Sequence, residues 1–297
     1  MTARISVIVA TIERWPSIQP CFDRLLPQVV EAGGELILAD GTPAGDGFLP
    51  AALNRAVPVT VIKSPGASVF ALRAQAAWAS SAEFLAFTED HCVVGERWVA
   101  QVLAAHHAHP EAGMVAGAIT NGSSEGFVDW ANFLMTFAEF MPPAPARPLK
   151  RTPPMGNCSF RRSVLLGGAL PEGWLEVVLG PTMVHEGRLH YDDGIVVSHV
   201  QPRHLRRAMS AHFDNGRACA GLALPHIARR DWLLRLATTP VLPWILYVSV
   251  VRSLRGRAIP ARARQSVPLV MLLCASHTAG ELTGLLFGEG TSARRLN

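Results

Sequence analysis

Phe84-Leu85-Ala86-Phe87-Thr88-Glu89-Asp90-His91 is the stretch that decides how this chain folds. Four apolar residues in a row predict a short strand buried on both faces. The run breaks off in two acids and an imidazole, which a buried strand cannot hold in its interior. The charges therefore belong at the strand's carboxyl end, the edge at which open α/β sheets bind ligands. Two adjacent carboxylates on a rigid strand suit a hard divalent cation that bridges to phosphate oxygens. The alternative is a helix cap, with Asp90 opening the helix that begins near Gly95-Glu96-Arg97-Trp98.

Working outward, strand and helix patterns alternate. Ile5–Ala10 reads as a strand, and about Pro16 to Val30 as an amphipathic helix. Glu35–Ala39 is a strand ending at Asp40, and Val57–Ile62 is another, ending at Lys63-Ser64. A helix from about Ser68 to Ser80 leads into Phe84–Phe87, and a helix from Trp98 to His107 leads to Gly113–Gly117. That alternation predicts an α/β fold with a mostly parallel, doubly wound sheet. No G-x-G-x-x-G follows the first strand, which counts against a dinucleotide-binding domain. Six prolines in Met141–Pro154 mark an irregular loop. His106, His107 and His109 crowd a helix end, where positive charge complements the dipole, and read as structural.

Composition narrows the classes. Of 297 residues, 49 % are hydrophobic and 17 % charged, so the chain is globular and leans toward membrane contact. A net charge of +4 suits anionic substrates or lipid surfaces, and with only 7 % aromatics nucleic acid is not the expected partner. The five cysteines are scattered without C-x-x-C spacing, which predicts reduced thiols and neither disulfides nor a zinc site. No apolar leader precedes the first strand, so secretion is not expected.

Taken in order, Ile5–Thr11, Leu36-Ile37-Leu38-Ala39-Asp40-Gly41-Thr42, Arg73-Ala74, Phe87–His91 and Gly156-Asn157-Cys158-Ser159-Phe160-Arg161-Arg162 resemble the family 2 glycosyltransferases. The resemblance covers roughly residues 1–220. It implies a GT-A fold and inverting transfer of a sugar from a nucleotide-diphosphate donor. Ala10 and Thr11 then lie where the family holds the nucleoside, with Glu13 at the mouth of the cleft. Asp40 matches the aspartate that contacts the base or ribose, or else serves a simple Asp-Gly turn. Arg73 is placed to reach the diphosphate or to position the acidic loop. The usual D-x-D becomes Thr88-Glu89-Asp90, so Asp90 matches its second acid. Glu89, counted with the nucleotide-binding residues, or His91 stands in for the lost one.

Beyond the proline loop, Glu176 precedes Gly187 by eleven residues, the family's spacing for the general base. Glu172 is the competing acid. Val177 and Val178 give Glu176 an apolar setting that raises its pKa toward a useful value. His199, ending the strand Ile195–Ser198, matches a histidine that is a metal ligand in some members; the alternative is a core histidine. The metal set expected from the resemblance is Asp90, His91 and His199, holding Mn²⁺ or Mg²⁺. Gln201–Leu205 lacks the Q-x-x-R-W of processive synthases, favouring single addition. The competing functions are a nucleotidyltransferase, which wants a basic Gly-rich loop absent near Thr11–Pro16, and a non-catalytic nucleotide-sugar-binding homologue.

Residues 221–297 change character. Pro240–Val251 and Val267–Phe287 are apolar, with Arg252, Arg255, Arg257, Arg262 and Arg264 between them. If both crossed a bilayer, that basic loop would lie outside, against the positive-inside rule. The first run is also short for a span. Interfacial or re-entrant helices fit better, with buried helices as the alternative. The expectation is an enzyme at the cytoplasmic membrane face acting on a glycan or lipid-linked sugar, with a homo-oligomer possible.

Overall fold

A computed structural model describes residues 4–13, 17–43, 59–143, 148–165, 170–201 and 204–296. Pro16, Val57 and Pro58, residues 144–147 of the proline loop, and Pro202-Arg203 lie outside the described residues. Two compact units result: residues 1–120 with 146–200, and residues 121–145 with 201–297. The helical unit thus takes in two helices from the stretch that the sequence assigned to residues 1–220.

The first unit is an α/β sheet. Its strands are β1 (Ile5–Thr11), β2 (Glu35–Asp40), β3 (Val59–Lys63), β4 (Phe84–Glu89), β5 (Cys92–Val94), β6 (Met114–Asn121), β7 (Asn157–Arg161) and β8 (Leu189–His199), in the order β3-β2-β1-β4-β7-β6-β8-β5. The half from β3 to β4 is parallel. Of its strands, β1, β2 and β4 are buried on both faces because helices cover them, α1 (Gln19–Glu31), α2 (Val69–Ala79) and α3 (Trp98–Ala108), while β3 at the edge is only partly buried. The predicted strands and helices of this half are all present. The other half is antiparallel where β7 pairs with β4 and β6, and where β5 pairs with β8.

The curl of this sheet makes the site. Only Asp90 and His91 separate β4 from β5, a reach of about 11 Å between the flanking Cα atoms. Three strands lie between β4 and β5 in the sheet order, which would set them about 19 Å apart if the sheet were flat. The sheet therefore bends back on itself, and the end of β8 arrives beside the end of β4.

His106 corrects one expectation. It is fully buried in α3, its Nε2 lies 2.9 Å from Ser159 Oγ, and its ring stacks on Phe84. Desolvation, followed by the charge of Arg161, pushes its pKa down to about 3, so it is a neutral core residue and not a cation for the helix dipole.

The second unit is helical: α4 (Phe127–Phe137), α6 (Leu205–Ala223), α7 (Arg229–Thr238), α8 (Leu242–Ser253) and α9 (Ala261–Phe287). The short α5 (Gly180–His185) belongs to the first unit. The core of the bundle is α9, which packs along α6 and against α4 and α8. Gly280 explains the close approach of α6 and α9, since a Cβ there would stand 1.9 Å from Phe213 O. The segment Arg229–Ser253 forms a 25-residue helical stretch whose most apolar 18-residue window has a mean hydropathy of 1.5 and is only 11 % buried. Both it and α9 are long and apolar enough to cross a membrane by length and composition. The helical stretch that carries the first apolar run is thus longer than the run itself, because the 3₁₀ turn Thr239–Val241 absorbs Pro240, and Pro243 opens α8.

Candidate functional site

Four side chains converge where β4 ends. Glu89 Oε2 lies 3.3 Å from His91 Nε2 and 3.5 Å from His199 Nε2, and the two imidazole nitrogens are 2.9 Å apart. Cys92 Sγ is 4.0 Å from Glu89 Oε2. All four donor atoms lie within 4.8 Å of one another. Glu89, His91 and Cys92 come from one chain reversal, and His199 joins them because β8 pairs Cys92 with His199. A carboxylate, two imidazoles and a thiol fit a divalent cation by chemistry and by spacing. Gly156 keeps the space clear: a Cβ there would stand 3.1 Å from Glu89 Oε2 and 3.5 Å from Cys92 Sγ.

Asp90 has a different place from the one the D-x-D resemblance implies. Thr11 Oγ1 donates to its Oδ2 at 2.6 Å, and His91 Nδ1 lies 2.8 Å from its Oδ1. The chain turns after Glu89, so Asp90 faces β1 while Glu89 and His91 face the cluster. Asp90 stands behind His91, fixing its ring and leaving Nε2 forward. Nor does it cap α3, whose N-cap is Arg97.

Arg73 joins the cluster to a second acid. Its Nη2 donates to Glu89 Oε1 at 2.8 Å and its Nη1 to Glu176 Oε1 at 3.2 Å. Burial opposes the charge of Arg73, but the two carboxylates outweigh it and hold its pKa above the usual value. The two acids respond in opposite directions. For Glu89, desolvation is outweighed by hydrogen bonds from His199 and His91 and by the charges of His91 and Arg73, which hold it well below the usual range. For Glu176, desolvation wins over Arg73, and its pKa is raised. Its Oε2 is buried without a hydrogen-bond partner among the described residues. His91, desolvated but bonded to Asp90 and Glu89, is raised to about 9.

Glu176 sits on a π-helical turn, Leu175–Leu179, a local form that recurs at functional sites. Glu172 accepts a hydrogen bond from Ser68 Oγ, the hydroxyl that caps α2 by accepting from Ala71 N–H at 3.1 Å. Asp40 is fully buried; its Oδ1 accepts from Thr42 N–H (2.8 Å) and Thr42 Oγ1 (2.7 Å), and its Oδ2 pairs with the half-exposed Lys63. Ala10 and Thr11 are buried at the end of β1, with Glu13 N–H donating to Thr11 Oγ1 at 3.0 Å.

Sequence reasoning missed Cys92 as a candidate donor, although Glu89-Asp90-His91-Cys92 places three of the four candidates within four residues. It also missed Asn157. This buried amide accepts from Trp98 Nε1 at 2.7 Å and donates to Ala118 O and Ile195 O, both at 2.8 Å, tying α3, β6, β7 and β8 together.

A family sequence model described as glycosyl transferase family 2 matches residues 6–167. No curated protein sequence matches. Among solved structures, the chain is similar to the mannosyltransferase PcManGT from Pyrobaculum calidifontis, in complex with GDP-Man and Mn²⁺, at 15 % identity and a TM-score of 0.59, covering 97 % of this chain and 88 % of that one. A second likeness is S. aureus TarS, residues 1–349, at 11 % identity and a TM-score of 0.49, covering 95 % and 90 %. With the GT-A type of α/β fold in place and more than half of its residues matched, the chain belongs to glycosyl transferase family 2 and is a glycosyltransferase.

Proposed function

We propose that the enzyme moves a sugar, with inversion, from a nucleotide-diphosphate sugar to an acceptor hydroxyl, using Glu176 as the general base. The observation that carries this reading is the bridge from Arg73 to two acids pushed apart in pKa. Two carboxylates set apart by their surroundings divide the labour between them. Glu89 stays ionised to bind charge, while Glu176 presents an unpartnered Oε2 that can take the acceptor's proton as its oxygen attacks the anomeric carbon. Arg73 holds both acids in place. Glu89, His91 and His199 would hold a divalent cation, with Asp90 orienting His91. A cation there would neutralise charge developing on the leaving diphosphate. The capture of a mannosyltransferase of the same fold with GDP-Man and Mn²⁺ supports a nucleotide-sugar donor and a metal cofactor. Ala10, Thr11 and Glu13 at the end of β1 line the nucleoside side, with Asp40 contributing if Lys63 swings away. Incubation with a panel of nucleotide sugars, followed by product analysis and assignment of the anomeric configuration, tests this reading. Retention would remove Glu176 from its role, and hydrolysis or transfer of a nucleotidyl group would replace the activity.

The acceptor, in this reading, is a glycan or lipid-linked sugar met at a membrane surface. Residues 201–297 contain fourteen arginines, no lysine and four acids, a net +10, so residues 1–200 carry −6. Leu233, Leu234, Val241, Trp244 and Ile245 are all at least half exposed and recur at helical spacing along one stripe. Exposed Arg229, Arg230 and Arg235 lie toward one end, and Arg252 and Arg255 at the other. An apolar stripe with cationic ends suits an in-plane helix on anionic lipid. Flotation with phosphatidylglycerol vesicles should carry the protein upward, and phosphatidylcholine vesicles should do so much less. Trp244→Glu with Ile245→Glu should abolish flotation. A stable dimer in solution that the double variant dissociates would assign the stripe to a second copy instead.

A further inference from the structure

We propose that Cys92 is the fourth protein donor of the cluster, and that the site prefers a borderline transition cation, of the Zn²⁺ or Co²⁺ class, over Mg²⁺. The proposal rests on the reading of this cluster as a metal site, and it concerns the donor set that this chain has built there.

The first argument is softness. Mg²⁺ wants near-octahedral oxygen ligands and keeps most of its water. Here one carboxylate oxygen is joined by two imidazole nitrogens and a sulfur, a set that suits Zn²⁺ or Co²⁺ and has little to offer Mg²⁺.

The second is geometry. A tetrahedral cation with bonds of about 2.0–2.3 Å has donor–donor edges of roughly 3.3–3.8 Å. Four of the six edges are 2.9, 3.3, 3.5 and 4.0 Å, scattered around that range, and all four donors lie within 4.8 Å of one another. Expansion to five-coordination leaves such a cation a position for a diphosphate oxygen.

The third is the supporting shell. Asp90 fixes His91 through Nδ1, and Arg73 holds Glu89 through Oε1, so each leaves its forward atom for the cation. Cys92 is held by its strand pairing opposite His199 and is fully buried, which keeps its sulfur against the other three donors. Among the other cysteines, Cys21 points its sulfur at the backbone carbonyl of Glu89, Cys158 at Met155 and Cys274 at Met135. Cation binding at Cys92 breaks the S–H bond heterolytically: the sulfur keeps the electron pair that forms the metal bond, and the proton leaves to solvent. No electron changes hands.

The test uses the full chain, stripped with chelator and titrated with Co²⁺. The expected result is one equivalent bound, intense visible absorption of a tetrahedral ion, and a thiolate-to-cobalt charge-transfer band in the near ultraviolet. Zn²⁺ should displace the cobalt stoichiometrically, and a thousandfold excess of Mg²⁺ should leave the spectrum unchanged. Cys92→Ser and Cys92→Ala, checked for folding by circular dichroism, should lose the charge-transfer band and bind Co²⁺ at least tenfold more weakly. Stoichiometric Co²⁺ with the weak spectrum of an octahedral ion, no charge-transfer band and ready displacement by Mg²⁺ overturns the proposal while leaving an ordinary metal site. Failure to bind any divalent cation stoichiometrically removes the metal reading itself. The wild-type spectrum and the Mg²⁺ competition decide the matter even if both variants fail to fold.

Discussion

Two pairs of acids sit near the same sheet edge, and they differ in what their oxygens are doing. Asp40 and Glu172 are consumed by local architecture, one by its own Asx turn through Thr42, the other by the hydroxyl that caps α2. Glu89 and Glu176 share one buried arginine, and each keeps an oxygen turned away from it. Asp40 has its oxygens taken up by Thr42 and Lys63, and Glu172 is an exposed acid held through one oxygen by a capping hydroxyl. Glu89 and Glu176 are set apart by a buried guanidinium that fixes one oxygen of each and leaves the other clear of it.

The harshest test of that contrast is Glu176→Gln. The amide keeps the shape but cannot accept a proton, so turnover should fall by about 10²–10⁴-fold with donor affinity nearly constant. Glu172→Gln should leave turnover within a few-fold of wild type, and the reverse ranking, read by steady-state kinetics, would exchange the two acids' roles.

Next in size is Arg73→Met, which leaves two buried carboxylates without their cation. Removing one side of a buried ion pair costs about 3–5 kcal/mol. Denaturant unfolding should register that loss, and a change below about 1 kcal/mol would mean the arginine is not what holds the two acids.

His106 sharpens the comparison from the other side, being buried with a hydroxyl in place of a charged partner. Its pKa is about 3 in the fold and 6.5 as an unperturbed group, so between those values the unfolded chain binds a proton that the native state refuses. Stability attributable to His106 therefore falls as pH drops below 6.5, by about 2 kcal/mol at pH 5. The difference between wild type and His106→Gln, followed by thermal or urea unfolding across pH 7 to 5, should shrink accordingly. A pH-independent difference would contradict the neutral assignment.

The smallest effect belongs to Asp40→Ala. With Oδ1 committed to Thr42, only Oδ2 can meet a nucleotide, and affinity by calorimetry should weaken by about 1 kcal/mol. Unchanged affinity with lowered stability would make Asp40 a turn residue alone.

Much of this was legible in the sequence. Buried runs ending in acids give the parallel half of the sheet, because such strands admit no charge except at their ends. The raised pKa expected for Glu176 is present in the fold, with burial as its main cause. The antiparallel half was not legible, since strands such as Asn157–Arg161 take their direction from pairing partners far along the chain. The facing of Asp90 was hidden for a related reason. Spacing in a D-x-D motif assumes that the strand continues, and here the chain reverses after Glu89. Cys92 meets His199 only because β8 returns beside it, which no local pattern announces.

The π turn that carries Glu176 has a consequence for how this protein can change. A π turn accommodates one residue more than an α turn, so its existence depends on the count of residues and not on their identity. Point substitutions in Val177, Val178 or Leu179 alter packing yet leave the surplus in place. Deleting one of them restores ordinary helical winding and rotates Glu176 by about 100° relative to the helix that follows. The position of this carboxylate is therefore sheltered from drift by substitution and exposed to the loss of a single codon.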